Sequence, residues 1–127
     1  MAELHGMFDG LEKAIQEKIG ELGKSGTQHV EISTDNDGHG TQTSDSKPTW
    51  TVTIKGSVHI TAPDGGTWRI HVTDLKAKKT VFDQSGMVKC KEYPFKYKTG
   101  LSTQLKVEVW WSEKKKTTLK ADINYSY

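Results

Sequence analysis

The sequence predicts a mostly β protein: an N-terminal amphipathic α-helix followed by an immunoglobulin-like or fibronectin type III-like antiparallel β-sandwich of about seven strands. Three observations lead there. Leu4, Phe8, Leu11, Ile15, Ile19 and Leu22 recur at steps of three and four, and only the stretch Met1 to Leu22 shows that period. From His29 onward apolar and polar residues alternate in short runs. Turn-forming clusters separate those runs at regular spacing, as in all-β sandwiches.

The helical stripe, widened by Met7 and Ala14, ends at Gly23, with Lys24 as a favourable cation beside the last turn. Gly6, Gly10 and Gly20 each weaken the helix by about 1 kcal/mol relative to Ala. Packing must therefore supply the rest of its stability. At 1.5 Å per residue the stripe runs roughly 30 Å, long enough to cover more than one small domain. Residues 1–24 are accordingly expected to dimerise the protein through Leu4, Phe8, Leu11, Ile15, Ile19 and Leu22, and residues 27–127 to form the β domain.

His29 to Ser33 reads as the first strand. Thr34 to Pro48 carries no core residue and reads as one long loop, of the kind that tends to be functional or disordered. Trp50 to Ala62 alternates strictly, Pro63-Asp64-Gly65-Gly66 turns, and Thr67 to Thr73 alternates again, which predicts a hairpin. Thr80 to Phe82 and Met87 to Cys90 read as short strands around a Ser85-Gly86 turn. In Tyr93-Pro94-Phe95-Lys96-Tyr97 the proline argues for a sheet edge or a bend. Thr103 to Trp111 and Thr117 to Tyr127, joined by Lys114-Lys115-Lys116, are expected to pair Trp111 with Leu119 and Val107 with Ile123.

Composition narrows the function. The 127 residues make one domain. A mean hydropathy of −0.68 leaves much of the chain on the surface. A net charge of +2 is too small for a nucleic-acid protein, which concentrates basic charge on one face. Residues 1–25 carry −2 and the rest +4, with Lys76, Lys78, Lys79, Lys89, Lys91, Lys96 and Lys98 crowded together. Those lysines suit exposed strand edges or, alternatively, an acidic partner. The acidic helix disfavours a membrane surface. No segment is long and apolar enough to cross a bilayer as a helix. Met1 to Gly10 lacks the basic start and apolar run of a signal peptide, so the expected location is the cytoplasm, or release without a signal. The single cysteine, Cys90, excludes an intrachain disulfide.

Motifs for chemistry are sparse. Asp35-Asn36-Asp37-Gly38 resembles half of a calcium loop, but Ser44 stands where the closing acid belongs. His59 and His71 would be cross-strand neighbours if Ile60 faced Ile70, yet no third ligand is evident, so no metal is expected. No nucleophile elbow, phosphate loop or paired-cysteine motif occurs, and neither enzyme activity nor a cofactor is expected. Aromatics remain. Trp50, Trp68 and Trp111 fit core positions, whereas Trp110 falls on the opposite face beside Lys106 and Glu108. Tyr93, Phe95 and Tyr97 are expected not all to point inward. Exposed rings beside Asp, Asn and hydroxyls suit sugars, whose C–H faces pack on aromatics. The competing reading places these rings in a second layer beneath the helix.

Four places resemble the fungal immunomodulatory proteins. Thr34-Asp35-Asn36-Asp37-Gly38-His39-Gly40-Thr41 is similar to that family's Thr-Pro-Asn-Trp-Gly-Arg-Gly loop. Trp68-Arg69-Ile70-His71-Val72 resembles its Tyr-Arg-Val-x-Val strand, and Phe95-Lys96-Tyr97-Lys98-Thr99-Gly100 its Phe-x-x-Tyr-x-x-Gly, one residue shorter. The strand Leu105 to Val109 and a final hairpin close both. Asp37 and His39 replace the loop's tryptophan and arginine. The resemblance implies a non-enzymatic, lectin-like homodimer that exchanges N-terminal helices and binds glycans or cell-surface glycoproteins. The expected glycan contacts are Asn36, Asp37, Gly38, His39, Thr41, Tyr93, Tyr97 and Trp110. Two rivals remain: an actinoporin-like membrane-active protein and a plain interaction module.

Overall fold

The computed structural model describes residues 25–49 and 51–127. The predicted helix with its dimerisation stripe, and Trp50, lie outside the described residues. The rest is all β. Ten antiparallel strands run β1 Ser25–Ser33, β2 His39–Thr43, β3 Lys47–Pro48, β4 Thr53–Ala62, β5 Trp68–Asp74, β6 Lys79–Met87, β7 Glu92–Lys98, β8 Ser102–Thr103, β9 Leu105–Trp111 and β10 Thr118–Ser126. One four-stranded sheet has the order β1-β10-β4-β7 and the other β2-β9-β5-β6, while β3 and β8 form a short ribbon.

Period-two alternation explains the core. Val30, Ile32, Val58, Ile60, Leu119 and Ala121 from the first sheet meet Trp68, Ile70, Phe82, Met87, Val107, Val109 and Trp111 from the second in one buried cluster. Trp68 and Trp111, paired across β5 and β9, stack with centroids 5.5 Å apart. Alternation from Thr117 to Tyr127 puts Leu119, Ala121, Ile123, Tyr125 and Tyr127 on one face, and that face turns inward: Leu119 and Ala121 join the first cluster, and Ile123, Tyr125 and Tyr127 pack into a second around Ile54 and Leu105.

The connectivity differs from the expected one. Strands β4 and β5 do not form a hairpin, because β4 pairs with β10 and β7 whereas β5 pairs with β6 and β9. Nor do β9 and β10 pair: they lie in opposite sheets, so Trp111 has no strand partner in Leu119. The two apolar faces meet across the sandwich instead of side by side. Crossing between sheets at almost every connection gives the eight-stranded jelly-roll arrangement, with strand order unlike the immunoglobulin or fibronectin type III sandwich.

Two further expectations change. The long loop contains β2, a strand paired with β9 along its length. Its inward position Gly40 is packed so closely that a Cβ there would sit 2.5 Å from the Ser33 carbonyl oxygen, so no apolar side chain marks it. No turn interrupts the chain at Ser85-Gly86: β6 runs through it from Lys79 to Met87, with Gly86 at φ 66°, and Val88 to Cys90, expected as strand, leave the sheet as coil and turn. Pro94 does lie on an edge strand, β7.

Tyr93, Phe95 and Tyr97 sit at every second position of β7, and all three are half-buried on its inner side. Tyr93 accepts a hydrogen bond from the Val88 N–H at 2.8 Å. Tyr97 donates to Asp74, linking β7 to the end of β5 in the opposite sheet. Asp74 is 0% exposed, and its carboxylate also accepts from the backbone N–H groups of Lys76 (3.0 Å) and Ala77 (3.3 Å). Burial, and then the adjacent carboxylate, push the Tyr97 phenol far above its ordinary value of 10.0. Beside this bond lies a void of about 90 Å³ whose lining includes Ile54, Val72, Val81, Phe95 and Ile123. Tyr97→Phe leaves a buried carboxylate short of one donor and is expected to cost about 1–3 kcal/mol. Urea unfolding measures it; an unchanged midpoint would show that the inter-sheet bond is dispensable.

Candidate functional site

The pleat that turns Trp111 inward turns Trp110 outward, and the outer face of the β2-β9-β5-β6 sheet is built around it. Register aligns His39, Trp110 and Arg69 in one row across three strands. The next row is Thr41, Glu108, His71 and Asp83.

Neighbours in these rows are joined. The His39 ring lies 5.4 Å from the half-exposed Trp110 ring, tilted by 39°. The Arg69 guanidinium stands 4.8 Å from the Trp110 centroid on the other side, within cation–π range. Arg69 also grips Asp83 with Nε and Nη2 at 3.2 and 3.3 Å. His39 Nε2 meets Glu108 Oε2 at 3.1 Å, and Lys106 Nζ lies 3.5 Å from the other Glu108 oxygen. The face is a half-exposed indole framed by a guanidinium, an imidazole and two carboxylates.

The turn before β2 sets His39 in place. The Asp35 carboxylate accepts from the N–H groups of Asp37 (2.8 Å) and His39 (3.1 Å), and the Asp35 carbonyl accepts from Gly38 (3.1 Å). Gly38 adopts φ 75°, and a Cβ there would lie 2.7 Å from the Trp111 carbonyl oxygen. The Trp111 N–H donates to the Gly38 carbonyl at 2.8 Å, tying the turn to the end of β9. Asp35 is thus a turn-forming residue. Among the described residues no group of three or more His, Cys, Asp and Glu side chains is placed to hold a metal ion.

Three carboxyls around this face are held below their ordinary values. His39 hydrogen bonding lowers Glu108, Arg69 lowers Asp83, and the His39 and Asp37 N–H groups lower Asp35.

Of the residues predicted from sequence, the structure brings His39, Thr41 and Trp110 onto one face. Asn36 and Asp37 are exposed in the adjoining turn, and Gly38 is buried beneath it. Tyr93 and Tyr97 belong to the other sheet and face its inner side, so neither adjoins Trp110. The second strand that would have made His59 and His71 neighbours is in the wrong sheet: His59 pairs in register with Asp122 and Glu92. Arg69, Glu108 and Asp83 were not among the predicted contacts. Outward alternation beside Trp68 and Trp111 marks the first two, but Asp83 depends on an irregular β5–β6 register that local sequence does not reveal.

No protein-family model matches the chain, and no curated protein matches it. Among solved structures it is similar to tripeptidyl peptidase 2, at 15% identity over 78% of this chain and 10% of that one, with a TM-score of 0.46. It is similar to the CBM22-1 xylan-binding domain from Paenibacillus barcinonensis, at 13% identity over 78% and 71% of the two chains, TM-score 0.39. A family 29 carbohydrate-binding module shows 10% identity over 86% and 79%, TM-score 0.41. The chain spans a tenth of the peptidase and 33% and 31% of two infectious bursal disease virus chains that it also matches. Carbohydrate-binding modules thus stand among its neighbours, but with each of these TM-scores below one half the likenesses assign neither family nor activity.

Proposed function

We propose that this is a non-enzymatic, lectin-like protein that binds carbohydrate on the outer face of the β2-β9-β5-β6 sheet. One observation carries the reading: Trp110 is half-exposed at the centre of a row with His39 and Arg69, beside Glu108 and Asp83. A pyranose C–H face packs on the indole, and its hydroxyls find acceptors in the two carboxylates and donors in the guanidinium. Arg69 shields part of the ring. Its ion pair with Asp83 is between side chains 46% and 41% exposed and is therefore worth little, so a sugar displaces the guanidinium at small cost.

The resemblance to fungal immunomodulatory proteins implies a fibronectin type III sandwich, and the strand order here is another one. The carbohydrate reading therefore rests on the face itself. Helix-mediated homodimerisation through Leu4, Phe8, Leu11, Ile15, Ile19 and Leu22 belongs to the same proposal and is supported by the stripe alone. Light scattering of the full chain tests it separately.

Glycan-array screening followed by calorimetry on the best binder tests the site. Trp110→Ala is expected to weaken binding by about tenfold or more, as loss of roughly 1.4 kcal/mol of ring contact would. Unchanged affinity in the folded variant, or a folded wild-type protein that binds no glycan, would overturn the proposal.

The same face is expected to be acid-sensitive. Folded Glu108, Asp83 and Asp35 titrate below their ordinary values of 4.5, 3.8 and 3.8, so their pairing stabilises the fold in full above those values. That contribution is lost as pH falls through the lower folded values. Denaturant midpoints measured from neutrality into acid should decline in that window, and less steeply in Glu108→Gln. Identical profiles would show that the Glu108 pairing does not contribute.

A further inference from the structure

The outer face of the other sheet carries a different electrostatic pattern. Lys55 of β4 stands directly opposite Lys96 of β7, and Lys98 is opposite Thr53 one step along the same face. Ser126 flanks Lys55 from β10. All three lysines are exposed, and among the described residues none makes an ion pair or a side-chain hydrogen bond. Anionic groups on this face stand further along the strands. Glu92 is in register with His59, four positions from Lys96, and Asp122 is engaged by His29.

Like charges directly opposite one another destabilise a strand pair. Lysines that guard a sheet edge account for Lys96 and Lys98, because β7 is an edge strand. They do not account for Lys55, because β4 lies between β10 and β7. The arrangement has the form of a receptor for negative charge. Lys96 and Lys98 are two residues apart on one strand, roughly 7 Å, and Lys55 lies roughly 5 Å across, so the three lysines spring from a short flat triangle of backbone positions. Thr53, Ser57 and Ser126 add hydroxyls around it. No Phe, Tyr or Trp side chain among the described residues of this face offers a base-stacking platform, which single-stranded nucleic acid uses.

We propose that Lys55, Lys96 and Lys98 form a docking site for an anionic polysaccharide, a sulfated or uronic-acid chain whose charges the lysines neutralise and whose hydroxyls the flanking Thr and Ser side chains meet. The site is separate from the Trp110 face and does not depend on it.

Fluorescence anisotropy with a labelled sulfated octasaccharide, using the full chain, tests this. Lys55→Gln/Lys96→Gln is expected to weaken binding by at least about tenfold, and the wild-type affinity to fall steeply with added salt. Lys76→Gln/Lys116→Gln, which removes equal charge from two lysine-rich turns, and Trp110→Ala are expected to bind as wild type does. Thermal midpoints confirm folding, and the Lys55→Gln/Lys96→Gln midpoint should equal or exceed that of the wild type because a repulsive pair is gone. Lys96→Gln alone provides a milder variant, with a smaller loss expected. Equal binding by the double variant, an equal loss in the turn variant, or equally tight binding of single-stranded DNA of matched charge would each overturn the proposal.

Discussion

Trp110 and Trp111 are adjacent in β9, and the pleat sends them to opposite faces. Burial of Trp111 against Trp68 therefore fixes the exposure of Trp110. The same constraint acts along each long strand, since one face must meet the opposite sheet in the shared core and the other is left to water. Shifting β9 by one residue would bury Glu108 and Lys106 and expose Val107 and Val109, at a cost no surface contact could offset. The outer face is thus a by-product of core packing, held rigid by it, while its chemistry is free to vary.

That logic explains what was legible in the sequence. Inward and outward sets follow from alternation, so Trp111, Val107, Leu119 and Ala121 were readable as core and Trp110 as surface. Pro94 was readable as an edge residue because it cannot donate to a second neighbour. Partnership between strands was not readable. An apolar face is satisfied by any opposing apolar face, and alternation in β4 and β5 is identical whether they pair within a sheet or face each other across the sandwich. The same ambiguity misplaced β9 against β10. Strand β2 escaped because its inward positions are Gly40 and Gln42: close backbone approach takes the place that an apolar side chain would occupy, and Gln42 instead donates to the Glu31 carbonyl. Treating Tyr93, Phe95 and Tyr97 as unable to share a face was an error of period, since positions two apart lie on the same side of a strand.

The two outer faces differ in how their charge is spent. Around Trp110 each charged side chain has an opposite: Arg69 with Asp83, His39 and Lys106 with Glu108. Those pairs are partly exposed and individually weak, but together they orient donors and acceptors around an aromatic ring, which is a geometry for neutral polar ligands. At the β4–β7 end, three cations share a flat surface without a carboxylate among them. A neutral sugar and a polyanion would therefore read different sheets of one small sandwich, and the rigid core keeps both faces presented at once.

Binding of a neutral sugar is assigned to the Trp110 face, and not to the turn before β2 or to the opposite sheet. Two-dimensional amide and indole NMR of the labelled protein, titrated with the neutral glycan that binds best, tests it most directly. Shifts are expected to concentrate at the Trp110 indole N–H and at the amides of His39, Arg69 and Glu108, with β4 and β7 unmoved. Shifts confined to Asn36 and Asp37, or to the Lys55–Lys96 end, would contradict it.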